Sequence, residues 1–282
     1  MDAAAATLEI GSVEHRKILA QFFLETHVEY VPEAIDWPPL EEAGRARLAA
    51  LPFWQEAVST ENITSNTVTA AVQLEADPGL RKAIEMQGDE ENRHARLLLE
   101  LTRHYQIKVE PPPRFEPSSL EDDFLFAGFG ECFDSFFAFG LFALARESGF
   151  FEPALVAIFE PVIQEEARHI LFFVNWVKYR RSQSSWWRRP LFDLRCASII
   201  LRQVASRVRT ARSMGSAAEP PTGNFTLTAH RQVGEPVTLH KLLDLCLREN
   251  DRRMAGYDQR LLRPRLVPAL GRLLYRVLPA SL

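Results

Sequence analysis

The chain has 282 residues, 46% of them apolar and 25% charged, and its net charge is −4. This balance is typical of a soluble globular protein with one large domain, or with one domain and an appendage, and no nucleic-acid partner is expected. No basic segment precedes an apolar run at the N-terminus, and no window approaches about 20 uninterrupted apolar residues. Neither a signal peptide nor a transmembrane helix is therefore predicted. Three widely separated cysteines disfavour a disulfide framework or a CxxC metal site and favour a reducing, cytoplasmic compartment: Cys132, Cys196 and Cys246.

The first predicted helices are separated by proline and glycine signals. Apolar residues at helical spacing over 13–30 predict a leading helix outside the main bundle, and the Trp37-Pro38-Pro39 sequence ends it. Pro52 opens a helix that is predicted to reach about residue 74. The Asp77-Pro78-Gly79 sequence then marks a tight stop and restart, with Asp as the N-cap of a helix that reaches about residue 107.

Two more long helices follow a proline-rich connection. Ser118 and Glu121 have the spacing of a capping box at the start of the third long helix, and Gly149 suits its end. Pro153 opens the fourth helix, which is predicted to reach about residue 181. Pro161 lies inside this helix and predicts a kink near its chemically interesting part.

Four long helices joined by two tight turns and one longer connection predict an all-α fold of the four-helix-bundle type. The bundle is predicted to occupy 1–182, with core helices over about 52–181 and an extra N-terminal helix. The connection after residue 107 is just long enough to cross the length of the bundle, and a simple up-down order of the helices is the alternative. Residues 183–282 are predicted to form a basic helical C-terminal extension with a linker at about 213–236.

The pattern E-E-x-R-H occurs twice, at 90–94 and at 165–169. Each copy contains Glu-x-x-His, which places a carboxylate and an imidazole on one face of a helix, one turn apart. One copy alone would be typical of a solvated helix face. Two copies with the same flanking Glu and Arg indicate the two halves of a dinuclear metal site inside a helical bundle. The ligands predicted from these copies are Glu91, His94, Glu166 and His169.

Hairpin geometry predicts the remaining two carboxylates, because residues equidistant from a turn lie at the same level on two antiparallel helices. Glu91 lies 14 residues after the first tight turn, and Glu61 lies 16 residues before it. Glu166 and Glu131 each lie about 17 residues from the second turn. Glu56 is an alternative to Glu61, but it lies more than one helical turn away.

The complete predicted set holds four carboxylates and two imidazoles: Glu61, Glu91, His94, Glu131, Glu166 and His169. Such oxygen-rich ligation with one histidine per ion suits iron, or manganese as the alternative, better than zinc. Four carboxylates would neutralise two divalent ions, which makes their burial energetically acceptable. The predicted cofactor is therefore a pair of iron ions.

The doubled motif and its spacing resemble the diiron-carboxylate oxidases and oxygenases of the ferritin-like superfamily. The closest likeness is to the hydroxylase subunits of bacterial multicomponent monooxygenases, whose motif is Asp-Glu-x-Arg-His. The resemblance covers about residues 52–181 and implies a ferritin-like four-helix bundle. It also implies an enzyme that uses O₂ and receives electrons from a separate reductase.

The resemblance further implies a second layer of residues around the ligands. In that family the acid before each Glu-x-x-His accepts a hydrogen bond from the histidine of the other copy, so Glu90 would orient His169, and Glu165 would orient His94. This chain has Glu where the family has Asp, which lengthens that contact. Two arginines belong either to this second layer or to the ordinary surface: Arg93 and Arg168.

The third long helix is rich in phenylalanine and glycine around Glu131. Glycine is unfavourable within a helix, so its repetition predicts either space for a substrate and O₂ beside the metals or close helix packing. The resemblance implies that Ser135, on the same face as Glu131, takes part in proton delivery during O₂ activation. The residues predicted to line a substrate pocket are Gly128, Phe129, Gly130 and Phe133.

The C-terminal part of the chain is basic. Residues 1–177 hold 13 Lys and Arg against 30 Asp and Glu, whereas residues 178–282 hold 20 against 7. Tryptophans beside arginines at 186–189 lead an amphipathic stretch that extends to about residue 212. This stretch predicts a peripheral membrane contact, an acidic partner, or a helix packed on the acidic bundle.

Three functions follow as expectations. The first is an O₂-dependent diiron oxidoreductase of the hydroxylase, monooxygenase or desaturase type that acts on a hydrophobic small molecule. The second is iron handling, as a ferroxidase or an oxidant-scavenging protein. The third is a non-catalytic bundle that binds a membrane or a partner through its basic part. A homodimer is left open.

Overall fold

A computed structural model describes residues 8–51, 53–112, 114–116, 118–213 and 238–279. Over these residues the protein is helical and has no strand. Pro52 and residues 214–236 of the predicted linker lie outside the described residues. The α-helices in chain order are α1 Val13–Glu25, α2 Glu42–Ala49, α3 Trp54–Ala71, α4 Pro78–His104, α5 Leu120–Ser148, α6 Pro153–Ile158, α7 Glu160–Gln183, α8 Arg189–Ser213, α9 Leu239–Met254 and α10 Leu266–Val277.

Helices α3, α4, α5 and α7 form the bundle around the candidate site. Trp54 at the start of α3 and Leu101 near the end of α4 share one hydrophobic cluster with Leu155, which lies just after the end of α5. Helix α3 is therefore antiparallel to α4 and α5, and α4 and α5 run parallel. The proline-rich connection between α4 and α5 accordingly spans the length of the bundle.

Local signals in the sequence set most helix ends. The carboxylate of Asp77 accepts hydrogen bonds from two backbone N–H groups in the first turn of α4, at 3.0 and 3.1 Å, so the predicted N-cap is confirmed. Gly149 ends α5 with a φ of 64°, as predicted. The capping box expected at the start of α5 is wrong. The Asp123 carboxylate accepts from the N–H of Ser118 instead, at 2.7 Å, while Glu121 pairs with arginines.

The fourth bundle helix is broken where a kink was predicted. Instead of one helix over 153–181, α6 ends at Ile158 and α7 begins at Glu160, with Phe159 between them. Pro161 has no N–H to donate, and its ring clashes with the carbonyl four residues earlier, so a continuous helix is disrupted there. The break lies at the end of the bundle where Leu155 packs.

Helix α1 belongs to the bundle, which corrects the expectation of a helix outside it. It is shorter than predicted, ending at Glu25, and it packs against α4 and α7. Its side chains Leu19 and Phe23 are fully buried in the main core. The short helix α2 was not predicted, because its sequence shows no apolar face of helical period and only Leu48 of it is buried.

The C-terminal residues share the core of the bundle. Helix α9 packs along α5, and α8 packs against α5 and α7. Leu242, Leu243 and Cys246 of α9 are buried in the same hydrophobic cluster as Phe139 of α5. Residues 183–282 therefore do not form a core separate from that of residues 1–182 within the described structure.

Helix α8 is paired with the acidic bundle on one side and exposed on the other. Arg195 contacts Glu121 and Asp122, and Arg207 contacts Asp134 at 2.6 Å. The opposite face, together with the segment just before the helix, carries exposed apolar side chains. Those that are more than half exposed are Trp186, Trp187, Leu191, Leu194 and Leu201.

Among the described helices, α5 alone is long and apolar enough to cross a membrane, with a mean hydropathy of 1.3 over its best segment. In the fold it is the central helix, in contact with α3, α7, α8, α9 and α10. More than half of that segment (56%) is buried inside the protein. The high hydropathy of α5 is therefore accounted for by its position in the core.

Candidate metal centre

Two buried histidines define the centre of the candidate site. His94 on α4 and His169 on α7 are 1% and 0% exposed, and their ring centroids lie 5.7 Å apart. Each lies one turn after its Glu-x-x-His glutamate, so each helix presents a carboxylate and an imidazole to the bundle axis. Both imidazoles direct Nδ1 toward the carboxylates of the cluster.

Glu91 and Glu166 lie between the two imidazoles. The Glu91 carboxylate is 2.9 Å from His169 Nδ1 and 3.8 Å from His94 Nδ1. The Glu166 carboxylate is 3.3 Å from His94 Nδ1 and 4.0 Å from His169 Nδ1. Because each carboxylate reaches both histidines, each is placed where it could bridge two ions.

The other two bundle helices contribute one carboxylate each. Glu61 of α3 lies 3.7 Å from His94 Nδ1. Ligand atoms lie within 4.8 Å of one another in three groups of described residues, and Glu56 belongs to none of them. One group is His27, Glu90 and Glu165, and the other two surround Nδ1 of the two histidines. Those two groups share Glu91, and together they hold all six predicted residues: Glu61, Glu91, His94 and Glu166 in one, and Glu91, Glu131 and His169 in the other.

Unpartnered polar atoms indicate that the cluster fits metal ions. Both carboxylate oxygens of Glu131, Oε1 of Glu91 and Nδ1 of each histidine are buried without a hydrogen bond of good geometry among the described residues, although Glu91 Oε1 and His169 Nδ1 lie 2.9 Å apart. A buried polar atom left unpaired destabilises a protein by about 1–3 kcal/mol. Ligation of cations would satisfy all five of these atoms together, and the oxygen-rich donor set is the kind that hard divalent ions prefer.

The protonation of the cluster also favours cation binding. Burial raises the pKa of Glu61 to about 7, although His94 acts against this effect. Burial, followed by repulsion from Glu91 and Glu166, raises the pKa of Glu131 above its ordinary value. Burial alone would lower the pKa of His94, but its carboxylate neighbours reverse the direction and raise it. The cluster therefore binds protons that metal ions would displace.

A crossed pair of acids holds the outer nitrogens of the two histidines. Glu90, on α4, lies 2.8 Å from Nε2 of His169 on α7. Glu165, on α7, lies 2.8 Å from Nε2 of His94 on α4. With Nε2–H donating to a carboxylate, the lone pair of Nδ1 points into the cluster. The longer Glu side chain thus reaches the contact that Asp makes in the family resembled.

The two motif arginines are buried and paired with these same acids. Arg168 is 1% exposed, and its Nη1 donates to both oxygens of Glu90 at 2.8 and 3.0 Å. Arg93 is also buried and pairs with Glu165. Neither arginine is the ordinary surface residue that one interpretation of the sequence left open. Each E-E-x-R-H motif therefore contacts the helix that carries the other copy in two ways, through its first Glu and through its Arg.

Helix α1 and the residues just after it contact these acids and arginines. The sequence did not predict these contacts. The Thr26 hydroxyl accepts from Arg168 Nε at 2.8 Å, and the Phe23 carbonyl accepts from Nη2 at 2.6 Å. His27 Nδ1 lies 2.5 Å from Glu90, and the Tyr30 hydroxyl donates to Glu165 at 3.4 Å. No spacing in the sequence relates these residues to positions more than 60 residues away, and they carry no motif.

Ser135 lies in the first layer of contacts with the cluster. Its hydroxyl donates to Oε2 of Glu166 at 2.9 Å, and its side chain is buried. It is four residues after Glu131 on α5, so both project from the same face. The serine thus stabilises one orientation of the Glu166 carboxylate.

A cavity of about 720 Å³ adjoins the carboxylates, with Glu61, Glu91, Glu131 and Glu166 in its wall. Most of the other lining residues are apolar. Of the four predicted pocket residues, Gly130 alone lines this cavity. The prediction for the other three is wrong, because they lie on faces of α5 that pack against other helices: Gly128, Phe129 and Phe133.

The glycines of α5 allow close helix packing. A methyl group at Gly128 would lie 2.3 Å from the ring of Phe173 on α7. A methyl group at Gly140 would lie 2.3 Å from Sγ of Cys246 on α9. Both distances are far below van der Waals contact. For Gly128 and Gly140 the structure therefore supports close contact between helices, and not space for a substrate.

Comparison of the chain with protein-family models, curated proteins and solved structures gives no match. The described residues form a helical fold with a buried cluster of glutamates and histidines. This cluster could hold metal ions and is compatible with a diiron site.

Proposed function

We propose that this protein is an O₂-dependent diiron oxidoreductase with a ferritin-like bundle, acting on an apolar small molecule. The observation that carries the proposal is the position of the cluster: its four carboxylates and the imidazole of His94 lie in the wall of a largely apolar cavity of about 720 Å³. That volume is within the usual range for a small-molecule site, about 300–1,000 Å³. A cavity of this kind is expected of an enzyme rather than of an iron store.

Six residues would hold the two ions, and their chemistry favours iron, with manganese as the alternative. Two divalent charges would balance the four carboxylates, with one imidazole for each ion. When bound, a ferrous pair supplies the electrons and the open coordination positions for reduction of O₂. The residues proposed as ligands are Glu61, Glu91, His94, Glu131, Glu166 and His169.

The residues around the ligands have separate tasks in this proposal. Glu90 and Glu165 keep Nε2 of the two histidines protonated, so that Nδ1 is free to ligate. The Ser135 hydroxyl lines the cavity and donates to Oε2 of Glu166, so it can hold a proton and pass it to that carboxylate oxygen. The apolar walls exclude water from the reacting carbon. Electrons come from a separate reductase.

Anaerobic titration of the full-length protein with ferrous iron, followed by exposure to O₂, tests the proposal. We expect two irons per chain and an O₂-dependent change in the visible and Mössbauer spectra. Uptake far beyond two irons per chain would favour iron storage instead, and no uptake would favour a non-catalytic bundle.

Substitution of single ligands tests the site itself. Glu91→Ala and His169→Ala are expected to lower the iron stoichiometry below two. Glu85→Ala serves as a matched control, because Glu85 lies on the same helix and is about half exposed. Retention of two irons by the Glu91 and His169 variants would refute the assigned site.

A further inference from the structure

The cavity beside the cluster is elongated along α5. Its lining residues on that helix recur every three or four positions from Asp123 to Ala145. Twenty-two residues at about 1.5 Å each extend roughly 33 Å, whereas a sphere of the same 720 Å³ volume would be only about 11 Å across. The wall of the cavity therefore extends along α5 well beyond the diameter of a compact pocket of equal volume.

The cluster lies along the wall of this cavity and not at its end. Glu131 is 8 residues from Asp123 and 14 residues from Ala145, which corresponds to about 12 and 21 Å along the helix. A chain lying in the cavity would pass the carboxylates and present one of its internal carbons to them.

The longer arm of the cavity is apolar on every helix that lines it. Beyond Ser135 the lining residues of α5 are Ala138, Leu141, Phe142 and Ala145. The other helices contribute only apolar side chains on that side of the cluster: Phe53, Trp54, Ala57, Leu97, Leu98, Leu101, Leu155, Val156, Phe159, Val162 and Ile163.

Polar side chains are confined to the cluster and to the opposite side. Gln203 of α8 and Asp123 of α5 line that opposite side. Arg207 of α8 lines the cavity level with the cluster, because its Nη2 donates to the Gly130 carbonyl and to Asp134. Arg207 is 7% exposed, and its Nε is buried without a hydrogen-bond partner among the described residues. Gln203 is also buried. These groups could receive the polar end of a ligand.

We infer that the cavity binds a long, unbranched aliphatic chain with one polar end, with its tail in the apolar arm and an internal carbon beside the carboxylates. The chain would enter the arm tail first, and its polar end would remain near Gln203, on the other side of Glu131. This inference rests on the proposed function for the oxidation of that carbon. The binding of the chain is independent of the proposed function.

Chain-length dependence of binding tests the inference on the purified full-length protein. The probes are straight-chain carboxylic acids and alcohols of about eight to about eighteen carbons, and affinity is expected to rise about fourfold per methylene until the arm is full. Naphthalene, which is compact and apolar, serves as the comparison probe. Equal affinity for all chain lengths, or tighter binding of naphthalene than of the longest chain, would overturn the inference.

Two variants that narrow the apolar arm test how far a bound chain extends into it. Ala138→Phe places a ring near the cluster and Ala145→Phe places one near the far end, because both alanines line the cavity on α5. We expect the affinity to stop rising at a shorter chain in Ala145→Phe, and at a shorter chain still in Ala138→Phe. Ala197→Phe, at an exposed position of α8, makes the same change outside the cavity and should leave the series unchanged.

Circular dichroism and thermal unfolding establish that each variant is folded before its affinities are compared. If neither phenylalanine variant folds, the wild-type chain-length series alone decides the inference. An equal loss of affinity at all chain lengths in a folded Ala138→Phe would contradict it. Chain binding without O₂ consumption would refute the proposed function and leave the inference standing, whereas O₂ consumption without chain-length dependence would do the reverse.

Discussion

The substitution Glu90→Gln removes one buried charge and preserves the shape of the side chain. Glu90 is 0% exposed and holds both oxygens against Arg168, with His169 and His27 as further partners. In the variant, Arg168 keeps Thr26 and the Phe23 carbonyl but has no carboxylate to balance its charge. Breaking a buried pair in this way costs about 3–5 kcal/mol, a large part of a typical stability of about 5–15 kcal/mol.

Denaturant unfolding of the metal-free protein at neutral pH measures this loss, as a fall in the free energy of unfolding. Glu33→Gln is the control, because the Glu33–Arg96 pair has nearly the same separation, 2.9 Å, but both side chains are almost half exposed. An exposed pair contributes only about 0–1 kcal/mol. If Glu90→Gln loses no more stability than Glu33→Gln, the reasoning about the buried network is refuted.

The difference between wild type and Glu90→Gln also has a defined pH dependence. Burial acts to raise the pKa of Glu90, but the hydrogen bond from His169 and the charge of Arg168 outweigh it and hold the pKa well below its ordinary value. A carboxylate whose pKa is lower in the folded than in the unfolded protein stabilises the fold. This stability is fully present above the pKa in the unfolded protein, about 4.3, and is lost as the pH falls toward the pKa in the folded protein. The difference should therefore narrow below about pH 4. Because Glu90 also raises the pKa of His169, the difference should narrow again as that imidazole loses its proton at higher pH.

Three further predictions concern the cluster, the helix packing and the surface. Metal affinity should weaken at least tenfold per pH unit below about pH 7, because the raised pKa values of Glu61, Glu131 and His94 mean that protons must leave when metal binds. Competition with a chelator at several pH values measures the affinity, and a pH-independent affinity would contradict the prediction. Gly140→Ala should lower the free energy of unfolding by about 1–3 kcal/mol through its contact with Cys246, whereas Gly256→Ala meets no atom within 4 Å and serves as the control; equal effects would show that the close approach does not matter. Full-length protein should float with anionic vesicles and much less with neutral ones, because exposed leucines lie on the basic helix α8. Replacing Leu191, Leu194 and Leu201 together by Gln should abolish flotation. Unchanged flotation of that variant would show that this face of α8 does not bind the membrane.

Residues that act within one helix, or within one hairpin, were predictable from the sequence. The Glu-x-x-His spacing places two ligands on one face because a helix has a fixed period. Equal distance from a turn placed Glu61 and Glu131 at the depth of the motifs, and the structure brings both into the cluster. Proline at 161 and glycine at 149 act on their own backbone, so their effects also appear where they were predicted.

Residues that act across long separations were not predictable in the same way. His27 reaches Glu90, and Tyr30 reaches Glu165, only because α1 packs against α4 and α7. The direction of the cavity depended on which face of α5 each neighbouring helix covers. Phe129 and Phe133 look equivalent to cavity residues in the sequence, yet they pack against Phe173 and Arg207.

The sequence by itself determined that the chain is helical and which six Glu and His residues form a buried cluster that could hold metal ions, because helical period and turn position are local properties. The tertiary structure decided which atoms of those residues meet, that Glu90 and Glu165 cross to the opposite histidines, and that the apolar arm lies on one side of Glu131. The physical reason is that these features depend on contacts between helices, whose faces and angles are fixed by packing over the whole core.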